Sequence, residues 1–217
     1  MNNVFNFTSK QIDARFCTKS LYDIACTKKK TDPDFCADYK ETPVCDFDAV
    51  KDAVSKIRGE QLCSADIFIE TPNREYIFIE FKQRKYDSLN HAHDRTNLKK
   101  KLFDSLSVAG MSLLDTLPFS QICRHVHYLL VYDNDLDLAP RRDIFGDTTY
   151  EDCFLQCMKQ EAKLPKDAWG IEIRWDFDRF QNKGYYQTVH TWTESDFRRL
   201  GPALMNGQFP SAAESAK

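Results

Sequence analysis

ADIFIETPNREYIFIEFK, residues 65–82, is the stretch on which the fold turns. Two runs, 65–70 and 75–82, are rich in Ile, Phe and Tyr, and Thr71-Pro72-Asn73-Arg74 between them carries turn chemistry. The reading is an antiparallel hairpin. Its second arm is apolar on both faces up to Ile79, as in a central strand. It then sets Glu80 and Lys82 at i and i+2 on one face, with Phe81 on the other. Burying such charges unpaired is costly, so they pair, reach solvent or bind something. A connection of three or five residues aligns Asp66 with Glu80 on the same face, roughly 5 Å apart at Cβ. A four-residue connection sends Asp66 to the other face unless a bulge intervenes. Two carboxylates that close repel, and Lys82 or a divalent cation relieves them.

Upstream, residues 47–58 keep a helical period through Val50, Val54 and Ile57, and Gly59 stands where a helix stops. Residues 8–26 also read as a helix, capped by Thr8 or Ser9, with Ile12, Phe16 and Ile24 near one face. The polar run between these helices, broken by Pro33 and Pro43, reads as loop. Downstream, residues 95–117 form a long amphipathic helix with Leu98, Leu102, Leu106, Ala109 and Leu113 on its stripe, and Pro118 marks its end. HVHYLLVY, residues 125–132, is apolar enough for a central strand covered on both faces. Residues 148–163 read as a helix opening on a Thr148…Glu151 capping box, and 170–177 and 185–192 as two more strands. A short helix begins after Thr193, and the tail frays from Phe209 onward. The order gives an α/β or α+β protein, a mixed β-sheet flanked by helices. We expect one domain over 1–217: a core at about 45–135, an N-terminal helical extension 1–44, C-terminal strands and helices 136–208, and a frayed tail 209–217.

Asp66, thirteen intervening residues and then Glu80-Phe81-Lys82 on the second hairpin arm resembles the signature of the PD-(D/E)XK nuclease superfamily. The likeness covers roughly residues 45–135, where helix, hairpin, long helix and apolar strand resemble the restriction-endonuclease-like αβββαβ core. Only two strands are clear before the long helix; the third is expected near Gln61–Ser64 or in the N-terminal region. The resemblance implies Mg²⁺ or Mn²⁺ held by Asp66, Glu80 and the backbone carbonyl of Phe81. It implies that Lys82 orients the attacking water and stabilises charge on the phosphate. Ala65 stands where the motif name has Pro. The resemblance also calls for an additional acid from the first core helix, for which Asp52 and Glu60 are equal candidates.

A formal net charge of −3 means that any nucleic acid must be met by a local basic patch. Between Lys82 and Lys101 seven Lys and Arg face two Asp, a local excess of five. Gln83, Arg84, Lys85, Arg95, Lys99 and Lys100 are its candidate nucleic-acid contacts, the other reading being a solvated helix face. The N-terminus has no secretory pattern and no run approaches a membrane span, so the expected compartment is the cytoplasm. The eight Cys read as small buried hydrophobes. Cys17, Cys26, Cys36 and Cys45 lack the short spacing of structural zinc sites, and Cys153 and Cys157 read as helix packing. His125, His127 and His190 read as satisfied, partly buried histidines, and Trp169, Trp175 and Trp192 as core. Two functions stay open: a divalent-metal-dependent nuclease, DNA ahead of RNA, serving defence, repair or toxin action; or a non-catalytic interaction or immunity protein on the same scaffold, whose partner is a protein. A homodimer is open in the first case.

Overall fold

The computed structural model describes residues 16, 19–29, 33–82, 92–112, 118–133 and 164–210. Among them is a six-stranded mixed sheet flanked by helices, an α+β architecture. The strands are β1 (Lys19–Ser20), β2 (Pro43–Asp46), β3 (Ile67–Glu70), β4 (Tyr76–Lys82), β5 (Val126–Tyr132) and β6 (Thr188–Thr193), and they neighbour one another in that order. β1 to β4 form an antiparallel meander, whereas β4, β5 and β6 run parallel. The helices are α1 (Leu21–Lys29), α2 (Phe47–Arg58), α3 (Ala92–Ser112), α4 (Phe119–Ile122), α5 (Asp178–Asn182) and α6 (Glu194–Met205), with a 3₁₀ turn over Asp34–Tyr39.

The pleat sorts side chains into two cores. Phe78 on β4 and Tyr128, Leu130 and Tyr132 on β5 meet α2 and α3 through Phe47, Val50, Leu98, Leu102 and Leu106. Ile77, Ile79 and Phe81, with Leu129 and Val131, point the other way, against Leu21 and Ile24 of α1, Phe35 of the 3₁₀ turn and Phe197 of α6. This two-sided covering is why β5 is buried at every position and reads as a continuous apolar run.

Local signals fix the helix ends. Asp46 caps α2 by accepting from the Ala49 N–H at 3.3 Å, and Gly59, at φ 68°, closes it in the left-handed region. Thr193 and Asp196 make a reciprocal capping box at the start of α6. Ser20 caps α1 instead of Thr8 or Ser9, which lie outside the described residues: its hydroxyl accepts from Asp23 N–H at 3.1 Å and donates to Asp23 Oδ2 at 2.8 Å.

Several expectations need correction. The third strand before the long helix is β2, at the end of the N-terminal region, one of the two places expected for it, and it shares only Pro43 with the stretch read as loop; Gln61–Ser64, the other place, is not a strand. Residues 170–177 are not a strand either. Trp175 and Asp176 adopt φ of 59° and 60°, reversing the chain, and only an isolated bridge pairs Lys166 with Glu172. Thr191 of β6 meets this segment through its side chain, its hydroxyl accepting from Arg174 N–H at 2.9 Å and donating to Glu172 O at 3.0 Å. Phe209 is not frayed: its ring stacks on His127 with centroids 4.0 Å apart. The expected helix at 148–163, with Cys153 and Cys157, lies outside the described residues. Among those residues no helix is long and apolar enough to cross a membrane.

Of the three histidines read as partly buried, His127 and His190 are embedded on the α6 side, whereas His125 is exposed, its Nδ1 3.3 Å from Glu75 Oε1. His127 and His190 are fully buried and share the Thr188 hydroxyl, at 2.6 Å and 2.8 Å. Burial, then the neighbouring His190 and His125, push the His127 imidazole down to about 3, so it is neutral near pH 7. The unfolded chain therefore takes up this proton first as pH falls, and stability drops from about pH 6.5 toward pH 3. Asp66, discussed below, works oppositely, since its raised pKa makes the folded state gain stability as pH falls through about 6 toward 4. Subtracting a His127→Gln curve isolates the histidine. Between pH 6.5 and 4 the wild type should lose about 3 kcal/mol more than the variant in urea unfolding, and parallel curves would refute a neutral buried His127.

Candidate active site

The hairpin register runs Ile67↔Ile79, Phe68↔Phe78, Ile69↔Ile77 and Glu70↔Tyr76. Thr71 N–H donates to Glu75 O at 2.8 Å, so Thr71 extends the ladder and the loop shrinks to Pro72, Asn73 and Arg74. Arg74, at φ 61°, supplies the left-handed residue that closes such three-residue loops. The connection is odd in length, and the register carries Asp66 into line with Glu80, on the face of Phe68 and Phe78. The regular ladder gives way at Asp66. Its own N–H reaches Ile79 O at 3.0 Å, and its carboxylate Oδ2 accepts from Phe81 N–H at 2.8 Å. One oxygen of Asp66 thus serves the backbone and the other, Oδ1, is left for the site.

Neighbouring elements pin the segment that delivers Asp66. Ser105 of α3, fully buried, donates nothing to solvent; its hydroxyl oxygen accepts from Ala65 N–H at 2.8 Å, and Asp104 Oδ2 accepts from Cys63 N–H at 2.8 Å. On the other side Phe47 N–H donates to Asp66 O at 3.0 Å, tying the segment to the start of α2.

Asp66 and Glu80 form the floor of the cluster, both about 1% exposed, and lysine tips form its mouth. Lys101 of α3 grips Glu80 with Nζ 2.8 Å from Oε1 and 2.7 Å from Oε2, and stands 3.7 Å from Asp66 Oδ1. Lys82 lies 2.8 Å from Glu80 Oε1, and Lys28 of α1 lies 2.9 Å from Asp66 Oδ1. Lys28 also pairs with Asp48 in the first turn of α2, whose other oxygen accepts from Ser64 Oγ at 2.8 Å. Two ammoniums crowd Asp66 Oδ1, and Lys28 is close enough to stabilise its charge, although among the described residues neither is aligned on it as a regular hydrogen bond. A fully buried hydroxyl on the same face, Tyr128 Oη, makes no hydrogen bond among the described residues.

The acids divide in their proton affinity. Burial, then the charge of Glu80, pushes the Asp66 carboxyl up to about 6 against the pull of Lys101 and Lys28. At Asp48 burial also acts upward, but Lys28, Ser64 and Lys51 outweigh it and leave the carboxyl below its ordinary value. Burial alone would lower the Lys28 and Lys101 ammoniums; Asp66 with Asp48 at the first, and Glu80 with Asp66 at the second, hold both above the usual lysine value. Lys28 and Lys101 therefore stay charged near neutral pH.

The sequence-derived site residues fare unequally. Asp66, Glu80 and Lys82 come together. Asp52 and Glu60 do not join them: their side chains are 73% and 57% exposed, paired with Lys51 and Arg58, and the acid that α2 brings near is Asp48. Lys99 faces Asp176 at 3.7 Å and Lys100 faces Asp104 at 3.0 Å, both away from the two acids. Gln83, Arg84 and Lys85 lie outside the described residues, as does the side chain of Arg95. Two participants, Lys28 and Asp48, went unnoticed, and a third, Lys101, was counted only within the basic stretch 82–101. For Lys101 a signal existed, because Lys101, Ser105 and Val108 share a helical stripe whose other two members are buried.

The donor set fits a hard divalent cation such as Mg²⁺ or Mn²⁺. The unaligned Asp66 Oδ1 and the Glu80 carboxylate are hard oxygens facing one spot, and Mg²⁺ commonly takes one or two protein carboxylates, the rest being water and phosphate oxygen. Among the described residues no group of three or more acidic, histidine or cysteine side chains is gathered to hold an ion. Compared with protein-family models, curated proteins and solved structures, the chain matches none.

Proposed function

We propose that this protein hydrolyses phosphodiester bonds with the help of a divalent cation, and that its substrate is DNA. The observation that carries the reading is the pairing of two buried carboxylates, Asp66 and Glu80, from adjacent hairpin arms beneath a ring of lysine ammoniums. The element order supports a restriction-endonuclease-like core: α1, the meander β2–β3–β4, the crossover α3, and β5 parallel to β4, with α2 inserted between β2 and β3. Asp66, Glu80 and the Phe81 carbonyl would hold Mg²⁺ or Mn²⁺, whose chemistry is to lower the pKa of a bound water and polarise the phosphoryl oxygens.

The chain's own groups account for the rest. Lys82, one quarter exposed and anchored on Glu80, is the group to orient the attacking water and to stabilise negative charge on the phosphate. Lys28 and Lys101 bring two further permanent charges to a phosphate entering the mouth. Asp48 holds Lys28 in place through its ion pair and is itself fixed by Ser64. A second reading, a non-catalytic protein-binding scaffold, draws on one observation: each buried acid already has a lysine within 3 Å.

Incubating the purified chain with supercoiled plasmid, single-stranded DNA and RNA, with Mg²⁺, Mn²⁺ or EDTA, separates the two readings. The expected result is cation-dependent nicking or linearisation of DNA, abolished by EDTA. Every nucleic acid left intact, together with no heat of Mn²⁺ binding in calorimetry, would favour the scaffold.

A further inference from the structure

We infer that Lys101 is a built-in counter-ion occupying the place of the divalent cation, so that the metal binds by displacing it and the displaced ammonium moves onto the substrate phosphate. The inference rests on the metal-binding reading above and adds how loading of that site is regulated.

Lys101 is bidentate on Glu80, at 2.8 Å and 2.7 Å, and reaches to 3.7 Å from Asp66 Oδ1, the oxygen that Lys28 meets at 2.9 Å. A single ammonium thus spans both acids, which is the position a bridging cation needs. Glu80 does not depend on Lys101 for neutralisation, since Lys82 keeps its own contact with Oε1 at 2.8 Å. The Lys101 side chain is still 20% exposed, so its tip has a way out to solvent. Its stem rises from a helix anchored by the buried Leu98 and Leu102, so the tip can swing while the backbone stays fixed. Coordination of Glu80 by a metal needs the lone pairs that this ammonium now engages, and two cations within contact distance of one carboxylate repel. An incoming phosphate offers the displaced ammonium another anion. Substrate and metal therefore strengthen each other's binding, and by linkage the factor is the same in both directions. Lys28 competes in the same way at Asp66 Oδ1, through a single contact at 2.9 Å.

The test is Mn²⁺ binding to the full chain by isothermal calorimetry, with and without a phosphorothioate oligonucleotide that resists cleavage. Wild type, Lys101→Met, Lys101→Gln and Lys101→Arg are compared, with thermal melts confirming folding. Lys101→Met and Lys101→Gln should bind Mn²⁺ roughly tenfold more tightly than wild type. The oligonucleotide should tighten Mn²⁺ binding to wild type and Lys101→Arg but not to the two neutral variants. If Lys101→Met does not fold, Lys101→Gln, which keeps a polar tip against Glu80, decides the matter. Neutral variants that bind Mn²⁺ no better than a Mn²⁺-binding wild type overturn this inference and leave the proposed function standing. No Mn²⁺ binding by any of the proteins overturns both.

Discussion

Glu80→Gln is expected to reduce cation-dependent cleavage by about a thousandfold, equivalent to roughly 4 kcal/mol of barrier, while the protein stays folded. Among the described residues Glu80 is the acid that both Lys82 and Lys101 contact. An amide keeps the shape and offers a neutral oxygen to them, but it cannot hold a hard dication in water. The packing beneath survives because Phe78 and Tyr128, which share this face, do not depend on the charge. Initial rates on plasmid at saturating Mn²⁺, with a urea melt on the same sample, check both halves of the statement. Cleavage above a tenth of the wild-type rate would remove Glu80 from the reaction, and loss of the cooperative melt would make it a structural residue.

What the sequence disclosed about this site follows from the physics of strands. Side chains alternate with period two, so Glu80 and Lys82 had to share a face, and an odd turn had to bring Asp66 to the same side. The actual turn is of that kind, with Thr71 recruited into the ladder. Lys28 gave no such signal: it stands 38 residues before Asp66 in the chain, and only tertiary packing decides their contact. Asp48 reads equally well as an acid favouring the positive end of α2. β2 was hidden because it is four residues long and begins with Pro43, a residue tolerated at the first position of a strand but read as a loop marker. Residues 170–177 failed in the opposite sense. Their alternation is strand-like, but Trp175 and Asp176 turn the backbone, and Thr191 meets the segment with a hydroxyl where a strand would offer backbone.

Asp167→Ala is expected to cost about 4 kcal/mol of stability, the loss of an acid whose every bond is structural. Asp167 accepts from Trp169 N–H and Ile171 N–H at Oδ1, both at 2.9 Å, and from Trp192 Nε1–H at 2.7 Å and His190 Nδ1 at 2.8 Å at Oδ2. Burial works against its ionised form, yet His190, Trp192 and Ile171 prevail and hold its carboxyl below the ordinary range. Alanine would strand an indole, an imidazole and two amides among side chains that exclude water. The urea midpoint should fall with an unchanged slope, and a loss below about 1 kcal/mol would mean that these donors find other partners. The contrast with Asp66 explains why one buried acid is assigned to the fold and the other to chemistry. Donors saturate both oxygens of Asp167 and lower its proton affinity, whereas Asp66 meets lysine ammoniums at Oδ1, and burial with the charge of Glu80 still leaves its affinity raised. Asp66→Asn should accordingly cost less stability than Asp167→Ala while removing far more of any cleavage activity.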